Sequence, residues 1–115
     1  MAEIGITPLQ VTIANGASLS GAVAIGDHVP VGIAMPAAWT AASLTFQVSA
    51  DGGTTWLNLY DTAGAEVAYT VGVDRYIPLD PSIWIGINMI KVRSGTAAAA
   101  VNQGGARTLT LVSRL

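Results

Sequence analysis

The sequence predicts an all-β domain built as an antiparallel β-sandwich. Segments in which apolar and polar residues alternate recur roughly every 8 to 12 residues, the spacing of strands in sandwiches and barrels. Gly, Pro, Asn and Asp separate these segments, and no segment sustains the 3.6-residue period of an amphipathic helix. The 115 residues suit one domain, so we expect a single sandwich over residues 1–115.

Three strands are predicted in the first third of the chain. Residues 4–13, 19–25 and 29–35 each place apolar side chains at every second position. Pro8 lies inside the first of these segments and Pro30 inside the third. Because proline cannot donate a hydrogen bond to a neighbouring strand, the first segment is predicted either to border a sheet edge or to begin late, and the third to border a sheet edge.

Residues 44–60 predict a β-hairpin. Asp51-Gly52-Gly53 supplies the positive φ angles that a tight reversal needs, and alternating segments flank it on both sides. Phe46 on the first strand and Trp56 on the return strand are expected to fill the core. The hairpin is therefore predicted to be a fixed corner of the fold, with binding left to the loops and the N-terminal segment.

The second half of the chain alternates in the same way. Further strands are predicted at residues 67–71, 76–79, 89–93 and 107–114. Asp80 is predicted to cap a helical turn that begins at Pro81, because aspartate is favoured at the N-cap and proline at the first helical position. Residues 97–105 predict a loop of small residues.

Composition excludes several classes of function. Lys and Arg number 5, the formal net charge is −2 and the sequence pI is about 4.9, so a basic surface for nucleic acid is not expected. Without cysteine, neither a disulfide framework nor a thiolate metal site can form. No apolar run approaches the roughly 20 residues of a membrane helix, and residues 1–4 lack the features of a signal peptide. Only 10% of residues are charged, which suits a surface that meets other protein.

No arrangement of residues in the sequence predicts catalysis. The single histidine, His28, follows Asp27, and adjacent residues of a strand point to opposite faces, so this pair is not expected to act as a base with its orienting acid. Asp51, Asp61 and Asp80 lie at turns, where aspartate binds backbone amides. A calcium site built on Asp51 and Asp61 would lack the regularly spaced acids of an EF-hand loop. We therefore expect no enzyme activity, no metal and no cofactor.

The aromatic residues allow two interpretations. Tryptophan and tyrosine normally fill the core of a small sandwich, and they also form the platforms on which sugars stack. Trp39 and Trp84 lie in predicted loops, so both interpretations apply to them. They are the candidate glycan-contact residues if the protein binds carbohydrate.

Two stretches resemble a known fold family. Residues 46–56, with the Asp51-Gly52-Gly53 turn, resemble a hairpin of discoidin-like, galactose-binding-like domains. Residues 90–96, Ile-Lys-Val-Arg-Ser-Gly-Thr, resemble a later strand of the same fold. The resemblance covers roughly the second half of the chain and implies a jelly-roll form of the sandwich. No ligand-binding residue of that family has a counterpart here.

The succession of motifs along most of the chain is similar to that of small structural proteins of tailed phages and prophages. These motifs are Met35-Pro36-Ala37-Ala38-Trp39, Asp51-Gly52-Gly53-Thr54-Thr55-Trp56, Leu59-Tyr60-Asp61, Leu79-Asp80-Pro81, Lys91-Val92-Arg93-Ser94-Gly95-Thr96 and Arg107-Thr108-Leu109-Thr110-Leu111. The resemblance implies a virion component, first of all a capsid decoration (cement) protein that braces the shell of major capsid protein. Such a protein would be made in the host cytoplasm and located on the capsid surface.

This role suggests a homo-oligomer, with a trimer as the form that threefold lattice positions would accept. Residues 1–8 are a candidate N-terminal arm, and Ile4, Ile6 and Leu9 are the candidate subunit contacts. Two alternatives are a carbohydrate-binding module on the virion and a tail or head–tail joining component.

Overall fold

The computed structural model describes residues 6–115, with side chains from Pro8 onward. This part of the chain forms eight β-strands and one short helix. The elements are β1 (Ile6–Ile13), β2 (Val23–Ala24), β3 (Val29–Ala34), β4 (Leu44–Ser49), β5 (Leu57–Asn58), β6 (Tyr76–Pro78), α1 (Pro81–Trp84), β7 (Met89–Ser94) and β8 (Arg107–Arg114). The prediction of an all-β domain is confirmed.

The strands form two antiparallel sheets packed face to face. Sheet 1 has the order β1-β8-β3-β6, and sheet 2 has the order β2-β7-β4-β5. Only the β4–β5 hairpin joins neighbours within one sheet, so every other connection crosses to the opposite sheet. Two four-stranded sheets linked in this way form a jelly roll, the architecture of many viral capsid, lectin and cupin domains.

The core lies between the sheets and follows the predicted alternation. Its buried apolar residues are Val11, Ile13, Ile25, Ile33, Met35, Leu44, Phe46, Leu59, Val67, Leu79, Trp84, Ile90, Val92, Leu109 and Leu111. Phe46 lies at an aromatic contact within it, with its ring centroid 4.7 Å from Trp84 and 5.9 Å from Tyr69, both edge-on. Such edge-to-face pairs add about 0.5–1.5 kcal/mol beyond the burial of apolar area.

The prediction of an edge strand is right for Pro8 and wrong for Pro30. β1 is an edge strand, as Pro8 predicts. The same prediction is wrong for Pro30, because β3 lies inside sheet 1 between β8 and β6. The pairing of β3 with β8 shifts register between Pro30 and Gly32, and this irregularity accommodates the missing donor.

Two predicted strands are much shorter than their patterns suggest. Of residues 19–25, only Val23–Ala24 form a strand, and Leu19 adds a single bridge to Arg93. One reason is that the Ser20 hydroxyl, instead of a strand neighbour's carbonyl, accepts the Val92 amide at 2.9 Å. Residues 67–71 are also not a regular strand, since only an isolated bridge joins Tyr69 to Leu44.

The hairpin and the helical turn are confirmed, but one core assignment is wrong. Asp80 caps α1 by accepting the Ser82 amide, and β4 and β5 pair across the predicted reversal. Trp56 is only half-buried and lies outside the core, where the Lys91 ammonium sits 4.4 Å from its ring centroid. Its position follows from the hairpin, which returns Trp56 on the outer face of sheet 2 beside the outward-pointing Lys91 of β7.

A buried arginine holds the outer face of sheet 2 together. Arg93 is 6% exposed and donates to Thr45 Oγ1 at 2.9 Å, Asn58 Oδ1 at 2.9 Å and Glu66 Oε2 at 2.8 Å. Glu66 also accepts the backbone amide of Ala97 at 3.1 Å. One guanidinium group thereby joins β7, β4, β5 and the chain segments on either side of the sheet.

A second buried polar cluster fixes the loop before β8. Gln103 is 1% exposed, and its amide group donates to the Thr40 carbonyl at 2.9 Å and to Ser94 Oγ at 2.7 Å. Its carbonyl oxygen accepts the Thr40 amide and the Arg107 Nε. Every polar atom of this side chain therefore has a partner, which a buried amide requires.

We expect the Glu66→Ala variant to lose about 3–5 kcal/mol of unfolding free energy, because it leaves the buried Arg93 guanidinium without its counter-charge. The double variant Arg93→Met/Glu66→Met should recover most of that loss, since it removes both charges and keeps apolar volume. Arg114→Ala, an exposed change, should stay within about 0.5 kcal/mol of the parent. Urea denaturation measures all three, and a Glu66→Ala cost equal to that of Arg114→Ala would contradict the assignment.

Phe46→Ala and Trp56→Ala test the corrected core. Phe46 is fully buried, so its truncation should cost about 3–5 kcal/mol. Trp56 lies outside the core, so its truncation should remove one exposed cation–π contact and cost about 1 kcal/mol. Thermal and urea unfolding of the two variants should rank them in this order, and equal losses would place Trp56 in the core after all.

Candidate functional site

The outer face of sheet 1 carries no charged side chain over three successive rows of paired residues. We call these residues the uncharged face: Pro8, Gln10, Thr12, Gly32, Ala34, Tyr76, Pro78, Thr108, Thr110 and Val112. Alternation places them outward, because Val11, Ile33 and Leu111 in the same strands point into the core. Among the outward strand residues described in sheet 1, Arg114 alone is charged, and it lies at the end of β8.

Two contacts organise the uncharged face. Thr12 Oγ1 and Thr108 Oγ1 lie 3.0 Å apart and share a hydrogen bond across β1 and β8. The Tyr76 ring lies directly over Gly32, occupying the space that a Cβ atom at this glycine would need. Gly32 is therefore buried beneath an exposed tyrosine, and the absence of a side chain lets the ring lie close to the sheet.

β1 gives this surface an open edge. The strand is eight residues long and contains no charged residue. Long edge strands usually carry lysine, proline or a bulge that discourages pairing with another chain, and here Pro8 is the one such residue. The edge is therefore only partly protected against contact with a second protein.

A groove opens at a different place, between the chain after β5 and the start of α1. It encloses about 370 Å³ and is lined by Tyr60, Asp61, Thr62, Ala63, Asp80, Ser82 and Ile83. Asp61 Oδ1 accepts the amides of Ala63 and Ala65, and Asp80 Oδ1 accepts the Ser82 amide. Both aspartates thus stabilise their own turns, as the sequence predicts, and both also line the groove.

The hairpin turn is held by the carboxylate of Asp51. Asp51 Oδ1 accepts the Thr55 amide at 2.8 Å, the Ser49 hydroxyl at 2.8 Å and the Thr54 amide at 3.1 Å. Hydrogen bonds from the Thr55 backbone and side chain and from Ser49 lower the pKa of Asp51 from 3.8 to about 2. The carboxylate is engaged in holding the turn, which agrees with the interpretation of this hairpin as a fixed corner.

Of the sequence-predicted contact and glycan residues, the structure describes the side chains of Leu9, Trp39 and Trp84. Ile4 lies outside the described residues, and Ile6 begins β1 with a side chain that is not described. Leu9 is half-buried and packs against the core. Trp39 is also half-buried against the core, and its indole donates to the Ala42 carbonyl.

The glycan prediction is wrong for Trp84. This side chain is 0% exposed and packs edge-on against Phe46, so neither face of the indole can meet a sugar. Its Nε1 has no hydrogen-bond partner within the part of the chain that the structure describes. The helical turn that begins at Pro81 carries Trp84 inward.

One pair of the candidate catalytic groups lies close together. His28 Nδ1 lies 3.5 Å from Asp27 Oδ1, because both residues precede β3 at its turn and do not point to opposite faces of a strand. Among residues 6–115, no group of three or more His, Asp or Glu side chains is placed to hold a metal ion. The same residues contain no helix long and apolar enough to cross a bilayer.

Comparison with known proteins adds no relative. No family model, no curated protein and no solved structure matches this chain.

Asp51 should titrate with a pKa near 2, measurable from the carboxyl ¹³C shift during an acid titration. Because the folded-state pKa is depressed, this group's contribution to stability is complete above the unfolded value of 3.8 and is lost as the pH falls through about 2. The Asp51→Asn variant keeps the Oδ1 acceptor and loses the charge. Its unfolding free energy should therefore fall less than the parent's as the pH is lowered from about 5 to about 2, an interval that starts above the unfolded pKa and ends near the folded one. Parallel curves would contradict the assignment.

Proposed function

We propose that the protein is a virion structural protein of the capsid-decoration type, which binds the outside of an assembled shell of major capsid protein and braces it. The observation that carries the proposal is the uncharged face of sheet 1, together with the open edge of β1 beside it. The resemblance of the sequence motifs to small phage structural proteins supports the same role. A jelly roll is a frequent viral architecture, although the fold alone does not determine function.

A surface without charges suits permanent contact with another protein. Burying a charged group in an interface requires a partner charge in good geometry, whereas threonine, glutamine and tyrosine lose little when they are desolvated and hydrogen-bonded. The cores of interfaces are depleted of charged residues and enriched in tyrosine. The uncharged face matches this composition, and Tyr76, which is 53% exposed, is its largest apolar side chain.

The size of this face indicates that it would not act alone. Four strands spaced by about 4.8 Å and three rows of residues span roughly 14 Å in each direction. A standard interface buries roughly 800 Å² on each partner, several times that area. Residues 6–8 of the candidate arm belong to β1. The edge of that strand, with Ile6, and the residues that precede it, with Ile4, would extend the contact beyond the sheet.

The protein would stabilise the shell by mass action. A ligand that binds the assembled state, and not the free subunits, stabilises that state by about 2.7 kcal/mol per site when its free concentration is 100 times Kd. Contact with two or more neighbouring capsid subunits provides this selectivity, because the complete binding site exists only in the lattice. A homotrimer would match the threefold positions of such a lattice.

The test adds purified protein to capsids that lack it and measures co-sedimentation and the temperature at which the shells rupture. The wild-type protein should co-sediment and raise the rupture temperature. Thr110→Glu, which places a charge in the middle row of the uncharged face, should weaken binding by at least about tenfold, the factor that corresponds to 1.4 kcal/mol.

Thr70→Glu is the matched control, because Thr70 is exposed and lies outside both sheets. It should bind as the wild type does. If the wild-type protein neither co-sediments nor changes the rupture temperature, the proposed function is wrong. If Thr110→Glu binds as well as Thr70→Glu, the shell contacts a different surface.

A further inference from the structure

We propose that the groove beside α1 binds an arginine side chain of a partner protein. The inference goes beyond the proposed function, because none of the groove residues belongs to the uncharged face. At about 370 Å³ the groove lies within the range of roughly 300–1,000 Å³ that is typical of ligand pockets. Three properties of its lining favour a guanidinium group: negative charge, an exposed aromatic ring and a fixed arrangement of acceptors.

The charge of the groove is negative and uncompensated. Asp61 and Asp80 both line it, and within residues 8–115 neither carboxylate has an ion-pair partner. The basic residues of the chain all lie elsewhere: Arg75 beside Val73, Lys91 over Trp56, Arg93 against Glu66, Arg107 on Gln103 and Arg114 at the end of β8. A cation from another molecule would therefore meet two carboxylates that no group among residues 8–115 neutralises.

The aromatic wall distinguishes arginine from a simple cation. Tyr60 is 53% exposed and lines the groove, and no Lys or Arg of this chain is among the other lining residues. A planar guanidinium group stacks on such a ring and donates in its plane to two carboxylates, whereas a lysine ammonium is a compact charge without this geometry. Ile83 gives the apolar stem of an arginine a surface to contact.

The acceptors are held in place before any ligand arrives. Asp61 Oδ1 accepts two backbone amides at 2.9 and 3.0 Å, and Asp80 Oδ1 accepts the Ser82 amide at 3.1 Å and its hydroxyl at 2.8 Å. In both residues the second carboxylate oxygen has no donor among residues 8–115. Binding would thus require little ordering of these side chains, which reduces its entropic cost.

The test titrates the whole protein at low salt with three capped tripeptides, Gly-Arg-Gly, Gly-Lys-Gly and Gly-citrulline-Gly. Binding is measured from the NMR shifts of the protein's backbone amides. The arginine peptide should shift the amides of Thr62, Ala63 and Ser82 in a saturable way. Lysine should bind more weakly, and neutral citrulline should cause no saturable shift. Raising the salt to about 0.5 M should weaken the arginine shifts severalfold, because screening acts strongly on exposed charges.

Asp61→Asn and Asp80→Asn remove the charges and keep the Oδ1 acceptors that hold the two turns, so both variants should fold. Each should weaken arginine binding several-fold, and Tyr60→Leu should narrow the difference between arginine and lysine. Asp74→Asn is the control outside the groove and should bind as the wild type does.

Three outcomes would overturn the inference. The inference is wrong if citrulline shifts the same amides as strongly as arginine, or if the two asparagine variants bind like Asp74→Asn. It is also wrong if a neutral saccharide such as galactose saturates the groove where arginine does not. Even if a variant failed to fold, the citrulline and salt arms on the wild-type protein would decide the question. The capsid assay remains independent, since it depends on Thr110 and not on the groove.

Discussion

The structure depends on a single buried cation on the outside of sheet 2. Arg93 is almost fully buried on a face that would normally meet solvent, and a buried guanidinium must be paired. Thr45, Asn58 and Glu66 supply its acceptors from three separate segments. Loss of any one of these acceptors would leave the buried charge incompletely hydrogen-bonded. Through its bonds to Asn58 and Glu66, Arg93 holds the edge strand β5 and the chain that follows it to the sheet.

This constraint extends to the groove. Glu66 pairs with Tyr60 through an isolated bridge, and Asp61 and Ala65 hydrogen-bond within the same turn at 2.8 Å. The turn that presents Tyr60 and Asp61 is therefore anchored at its far end by the ion pair with Arg93. A salt bridge on the outside of sheet 2 thus positions one wall of a groove whose other wall is the start of α1.

Strand pattern and turn chemistry could be read from the sequence because both are local. The alternation in β1, β4 and β8 predicted which side chains enter the core, and Asp80 before Pro81 predicted the helical turn. Failures came where tertiary contacts decide. Trp56 returns on the outer face of the hairpin beside Lys91, and Trp84 is turned inward by the four residues of α1. Neither result follows from the spacing of apolar residues alone.

The two candidate surfaces differ in how far the sequence alone predicts them. The uncharged face could be anticipated in part, since a strand with a buried side must expose its alternate residues, and these are threonine, glutamine and glycine rather than lysine and glutamate. The groove could not be anticipated from the sequence, because the role of Asp61 and Asp80 as turn residues already explains each of them locally. Only the fold shows that the two turns line one cavity. A residue that satisfies its own backbone can therefore still line a cavity, and here the sandwich brings two such aspartates to one opening.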